Sequence, residues 1–224
     1  SAPRTATEGA PVSPLAHPIE TPAPRASGPV GIRAIRTRDA RALQRLLTEN
    51  RAWLEPWEAT YPGGGGAAPG STPMRPVIRA LQRQQRDGAG VTFVITYRGE
   101  PVGQLSLSDV SGGALRSASI GYWVSREVAG RGIAPVAVAL AIDYAMTALR
   151  LHRIEICIRP ENAASLRVVE KLGMRAEGRR LAYIHIAGEW RDHDSFAVTR
   201  EEIPEGMLAR LGAAPTRESA RTVQ

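Results

Sequence analysis

Apolar and polar positions alternate along Val30-Gly31-Ile32-Arg33-Ala34-Ile35-Arg36, the period of a half-buried strand. Thr37 is placed to cap the helix that follows, and Leu43, Leu46 and Leu47 give that helix an apolar stripe through about Asn50. Trp53-Leu54-Glu55-Pro56-Trp57-Glu58 breaks the pattern, and Pro62 to Thr72 is a glycine-rich loop. Pro73 to Arg86 returns to helical spacing. Val91 to Tyr97 reads as a strand, Arg98-Gly99-Glu100 as a turn, and Pro101 to Val110 as the hairpin partner. Gly112-Gly113 turns the chain into a further strand that ends at Val124.

The second half alternates strand and helix. Ile133, Val136 or Ala137, Leu140 and Tyr144 recur at helical spacing, and Pro135 is tolerable in the first turn. Arg153-Ile154-Glu155-Ile156-Cys157-Ile158 is a strand. Asn162 is an N-cap for the next helix, whose stripe is Leu166, Val169 and Leu172 and whose end is Gly173. Two strands follow, about Arg180–Ile186 and Trp190–Thr199, joined at Ala187-Gly188. A short helical stretch at Met207–Leu211 comes last. The strand–helix–strand crossover predicts a parallel pair, and the preceding meander predicts antiparallel neighbours. The fold class expected is α/β: one domain over residues 29–200, with a mixed central sheet flanked by helices. Residues 1–28, rich in Pro, Ala, Ser and Thr, are expected to be a disordered tail. Residues 201–224 are expected to be an extension with that short helix and a frayed end.

Composition narrows the classes. The 224 residues carry a formal net charge of +7, nearly all of the positive charge being arginine, since Lys171 is the single lysine. A GC-rich coding sequence accounts for that bias, because Ala, Gly and Pro also run high. The charge favours acidic partners such as a nucleotide. The arginines are scattered, with no basic run interleaved with aromatics, so no direct nucleic-acid site is evident. One cysteine, Cys157, excludes an internal disulfide and a zinc site built on several cysteines. Its place among isoleucines reads as a small buried residue. No stretch approaches the ~18–20 apolar residues of a membrane span, and the N-terminus lacks an apolar signal core. A cytoplasmic protein is expected.

The richest chemical signal is Val128-Ala129-Gly130-Arg131-Gly132-Ile133-Ala134. Glycines between a strand and a helix leave amides pointing at one spot, beside the positive end of the helix dipole. Such a spot suits a pyrophosphate. No second His or Cys lies at ligand spacing from His193, so no metal is expected.

Trp53-Leu54-Glu55-Pro56-Trp57, Ile120-Gly121-Tyr122-Trp123-Val124, Gly130-Arg131-Gly132-Ile133-Ala134, Glu161-Asn162-Ala163-Ala164-Ser165 and Trp190-Arg191-Asp192-His193 occur in this order. Together they resemble the GCN5-related N-acetyltransferase (GNAT) superfamily over about Val30 to Thr199. The narrower resemblance is to RimJ/RimL-type enzymes that acetylate the N-terminal amino group of ribosomal proteins. The resemblance implies acetyl-CoA as donor, held where the parallel pair splays apart. Trp123 and Val124 would pair with the pantetheine amides, and the amides of Ala129, Gly130, Arg131, Gly132, Ile133 and Ala134 would hold the pyrophosphate. The family commonly has Gln or Arg where this chain has Ala129, so a side-chain contact there is lost.

The resemblance also assigns roles nearer the reaction. Asn162 would bond the pantetheine as well as cap its helix. Ser165 would protonate the departing thiolate, unless it merely caps or faces solvent, and Tyr183 is a second acid candidate or a core tyrosine. Trp53, Trp57 and Tyr122 would wall the acceptor site, with ordinary core packing the alternative for the two tryptophans. The attacking amine must be neutral, and an α-amino group with a pKa of ~7.7–8.0 needs only weak assistance. The carboxylate that some relatives use falls near Ile184 here and does not carry over. Glu58 is the base preferred over Glu55, His185 and Asp192, because it borders the tryptophan-rich segment. Arg191 and Asp192 are expected to pair, and Gly63–Gly66 to be a lid or an inert loop. The acceptor implied is the N-terminus of a ribosomal protein beginning with Ala or another small residue, the protein acting as monomer or homodimer. The alternatives are a small amine (polyamine, amino sugar or antibiotic) or a non-catalytic acyl-CoA-binding module.

Overall fold

A computed structural model describes residues 14–63 and 71–213. The first thirteen residues, Gly64–Gly66 of the expected lid and the end beyond Ala213 lie outside the described residues. The elements are β1 (Arg25–Ser27), β2 (Val30–Ala34), α1 (Ala40–Glu49), α2 (Arg51–Leu54), α3 (Met74–Arg86), β3 (Val91–Tyr97), β4 (Glu100–Ser111), β5 (Ser117–Val124), α4 (Ile133–Thr147), β6 (Arg153–Ile158), α5 (Ala163–Leu172), β7 (Arg175–Ile186), β8 (Glu189–Thr199) and α6 (Met207–Ala213). The sheet runs β1-β2-β3-β4-β5-β6-β8-β7. Only β5 and β6 pair in parallel, as the crossover through α4 requires.

The alternation along the strands sorts side chains onto two faces. Phe93 and Ile95 join the cluster built on α4, α5 and α6, whereas Val94 between them joins the cluster of α1, α2 and α3. α4 departs from the expected single stripe. Ala137, Val138, Ala139, Ala141, Ile142 and Ala145 are all completely buried, so the helix is covered on every side. Its alanines let it lie close to the sheet, where Tyr144 meets Phe93 edge-on with ring centroids 5.4 Å apart.

Two local expectations are corrected. The tail is ordered from Pro14: Ile19 is buried, its carbonyl accepts from Gln85 Nε2 at 3.0 Å, and β1 adds an edge strand before Gly28. A proline-rich stretch with one anchoring isoleucine shows no period, so pattern alone misses it. The helix start near Thr37 is organised by Asp39 instead, whose carboxylate accepts from Arg36 N at 2.8 Å and pairs with Arg33. Those two donors hold the Asp39 carboxyl below its usual range, although burial opposes them. The short helix expected at Met207–Leu211 forms as α6 and docks on α4: the Asp143 carboxylate accepts from Met207 N at 2.6 Å and Leu208 N at 3.1 Å. Among the described residues no helix is long and apolar enough to cross a membrane.

The contact that shapes the later cleft is between β4 and β5. A Cβ on Gly103 would stand 2.2 Å from the Trp123 carbonyl oxygen and 3.0 Å from Val124 Cα. Gly103→Ala is therefore expected to push the end of β5 away, costing about 1–3 kcal/mol. Urea melts of both forms, with acetyl-CoA binding measured by calorimetry, check this. The variant should lose stability and bind acetyl-CoA more weakly.

Candidate active site

β5 and β6 pair only at Ser117–Ser119 with Arg153–Glu155. β5 continues through Ile120 to Val124 bonded to β4 alone, while β6 continues to Ile158 bonded to β8. The two strands thus diverge inside the sheet. β5 is pulled to its own side: the Trp53 indole donates to the Val124 carbonyl at 3.2 Å, and the Asn50 side chain accepts from Ser125 Oγ and Arg126 N. A cleft of about 390 Å³ fills the gap, walled by Trp53, Trp57, Tyr122, Trp123 and Val124 on one side and by Asn162 and Ser165 on the other.

The loop below the cleft is built for an anion. Gly130 and Gly132 have φ of 81° and 76°, the left-handed region where glycine carries no penalty. Open space surrounds the Cβ position of each. The amides of Ala129 and Arg131 are spent on Arg126 and Val128 carbonyls. Those of Gly130, Gly132, Ile133 and Ala134 have no partner among the described residues, and no side chain caps α4. The first turn of α4 carries no acidic residue. Free amides at the positive end of a fifteen-residue helix favour a phosphate. The sequence expectation of six amides narrows to four.

The expected reactive side chains are placed unevenly. Ser165 and Asn162 line the cleft, and Asn162 Oδ1 accepts from Ser165 N at 3.1 Å, so the capping role is met. Tyr122 lines the cleft, and its buried hydroxyl has no hydrogen-bond partner among the described residues. Burial pushes that hydroxyl up to about 12, and the nearby Ser165 hydroxyl opposes the shift. Glu58 lines an adjoining cavity of about 260 Å³ with Trp57, Gln104 and Tyr122, but its carboxylate is taken by Arg51. A free carboxylate base, as expected there, is not what the fold presents. Of the other base candidates, Glu55 is exposed, His185 bonds Thr60 Oγ1 at 2.7 Å, and the Asp192 carboxylate accepts from Ala182 N.

Tyr183 lines none of the cavities at the splay. It falls in the β7 irregularity between Arg180 and Ile184, and its hydroxyl accepts from Arg180 at 2.8 Å. Arg191 does not pair with Asp192. Neighbours on a strand point to opposite faces, and Arg191 pairs instead with Glu189, two residues back, at 2.9 Å. Cys157 is half-buried, and burial with the Glu155 carboxylate pushes its thiol up to about 11, far from nucleophilic.

Sequence reasoning missed Arg159 and weighed His193 only as a metal ligand. Arg159 donates to the Pro56 carbonyl at 2.8 Å and lies 5.5 Å over the Trp57 ring, tying the tryptophan wall to the end of β6. His193 is buried, and its Nδ1 lies 3.0 Å from the Arg191 carbonyl. Only the alternation of Asp192, His193, Asp194 and Ser195 could have signalled that His193 points inward.

A mixed sheet splayed at one parallel pair, with an amide-rich helix start beneath the gap, defines an acyl-CoA-dependent transferase fold. The family described as "Acetyltransferase (GNAT) domain" matches residues 30–175. The chain belongs to this family and is an acetyl-CoA-dependent N-acetyltransferase. Among solved structures, RimJ of Mycobacterium smegmatis, in complex with CoA-disulfide, is 41% identical with a TM-score of 0.78, covering 83% of this chain and 88% of that one. The [ribosomal protein uS5]-alanine N-acetyltransferase of Escherichia coli is 30% identical over 183 residues, 78% of this chain and 90% of that protein. The probable N-acetyltransferase YjcK of Bacillus subtilis is 42% identical over 97 residues, so the match spans 43% of this chain and 54% of that relative.

Gly132→Ala tests the loop. Nothing lies within 4 Å of the new methyl, so its cost is the left-handed backbone, about 1–2 kcal/mol. Calorimetry should show acetyl-CoA bound about tenfold more weakly, a change of ~1.4 kcal/mol. Unchanged affinity would mean that the amides of this turn do not hold the donor.

Proposed function

We propose that this protein transfers the acetyl group of acetyl-CoA to the N-terminal α-amino group of a protein, and that the acceptor is a ribosomal protein beginning with alanine or another small residue. The observation that carries this reading is the acceptor-side wall. Trp57 and Tyr122 border all three cavities at the splay, and the two carboxylates that line them, Glu58 and Glu161, are paired with Arg51 and Arg159. A polyamine would need several free carboxylates. An aromatic-walled pocket of about 260 Å³ whose carboxylate is already paired suits one small residue and the peptide behind it. The E. coli relative, matched over most of both chains, acts on ribosomal protein uS5 at alanine, which supports the same class.

In this reading the free edge of β5 at Trp123 and Val124 takes the pantetheine amides, as a peptide adds to a sheet edge. Since the Val124 carbonyl is occupied by Trp53, the contacts fall on the remaining groups. The four free amides of Gly130, Gly132, Ile133 and Ala134 take the pyrophosphate. Asn162 reaches the pantetheine from the start of α5. Ser165, one turn into that helix, gives its proton to the departing thiolate. Trp53 and Trp57 grip the acceptor, and Glu58 with Arg51 shapes the pocket floor.

Release of free CoA on a panel of acceptors checks the proposal. Peptides beginning with Ala or Ser should turn over, and N-blocked peptides with an internal lysine should not. Turnover confined to polyamines or aminoglycosides would contradict it.

A further inference from the structure

We propose that His193 is the general base of the transfer, accepting the proton of the attacking amine on Nε2. The proposal rests on the reading of this chain as an N-acetyltransferase.

The first observation is place. A cavity of about 190 Å³ opens within the splay, and His193 lines it together with Tyr122 and Ser165. It shares Trp57, Tyr122, Asn162 and Ser165 with the main cleft. The expected acid and a nitrogen base therefore border one space. Glu58 lines a different cavity, which Ser165 does not reach, and is bound to Arg51.

The second observation is the tautomer. Nδ1 faces the Arg191 carbonyl at 3.0 Å, and a carbonyl only accepts. Nδ1 must carry the hydrogen, which leaves a lone pair on Nε2 in the neutral ring. No described group bonds Nε2. The ring is held edge-on to Tyr183 at 5.8 Å, with the strand register placing it opposite Arg180 of β7. An oriented, anchored imidazole with its second nitrogen free is how a base is presented.

The third observation is charge. Burial, with Arg159 from the end of β6, holds His193 below the ordinary histidine range; the Arg191 carbonyl, Glu161 and Asp192 pull the other way. Arg180, opposite it on β7, adds a further positive charge, while Tyr122 and Ser165 line the same cavity as neutral hydroxyls. The imidazole is neutral at pH 7 and able to accept. In the reaction the amine nitrogen bonds the thioester carbonyl carbon and the C–S bond breaks. The amine proton passes to Nε2, and the thiolate takes the Ser165 hydroxyl proton. The imidazolium then returns its proton to the Ser165 oxygen through solvent, leaving amide and CoA thiol.

His193→Asn is the direct test, because the asparagine amide can still donate to the Arg191 carbonyl while Nε2 is lost. His193→Gln is the second variant should the first fold poorly. With an Ala-initiated peptide and acetyl-CoA, kcat is expected to fall about 10²-fold or more in either variant. Acetyl-CoA affinity and the melting temperature should stay near wild type, the acid limb of the wild-type pH–kcat profile should vanish, and added imidazole should restore part of the rate. Folded variants that keep kcat within threefold and retain the acid limb would overturn the assignment alone. A wild-type protein silent on every amine would overturn the transferase reading, and this assignment with it.

Discussion

The parting of β5 and β6 after three parallel residue pairs is the constraint on which the site depends. Inside a sheet, an unpaired strand edge leaves peptide groups without partners, at about 1–3 kcal/mol for each one kept from water. The divergence persists because each strand is committed elsewhere. β6 is zipped to β8 along its whole length, and β5 is drawn toward α2 by the Trp53 indole and the Asn50 side chain. Gly103 allows β4 to follow β5 closely through that bend. A donor with amides along its arm can supply what β6 withholds, so binding and strand geometry are one property.

α4 joins this frame to the anion site. Its all-round burial fixes where the helix begins, and the helix start is where the free amides stand. The buried alanines of α4 set the spacing between helix and sheet. Anchoring α6 on Asp143 at the other end of α4 extends the same rigid unit. The four free amides at its start are consequently held by the core and not by a loose loop.

Much of this was legible in the sequence where local chemistry decides. Val91–Tyr97 was legible as a strand closed by the Arg98-Gly99-Glu100 turn, and Gly130 and Gly132 were legible as glycines between a strand and a helix, where the structure puts both in the left-handed region. Asn162 was legible as a cap because its side chain bonds three residues ahead. What could not be read is long-range. Arg51 neutralises Glu58 through a turn that no period announces, and Arg159 reaches Trp57 across the fold. Tyr183 was displaced by a β7 irregularity that composition does not mark, and Arg191 with Asp192 failed as a pair through strand alternation. His193 was weighed as a metal ligand and discarded, although burial on β8 gives it a different chemistry.

Amide hydrogen exchange with and without acetyl-CoA tests the central claim most directly. The account predicts new protection concentrated at the β5 edge, Tyr122 to Val124, and at Gly130, Gly132, Ile133 and Ala134, with little change in β1–β3. Saturating acetyl-CoA that left both segments exchanging as before would contradict it.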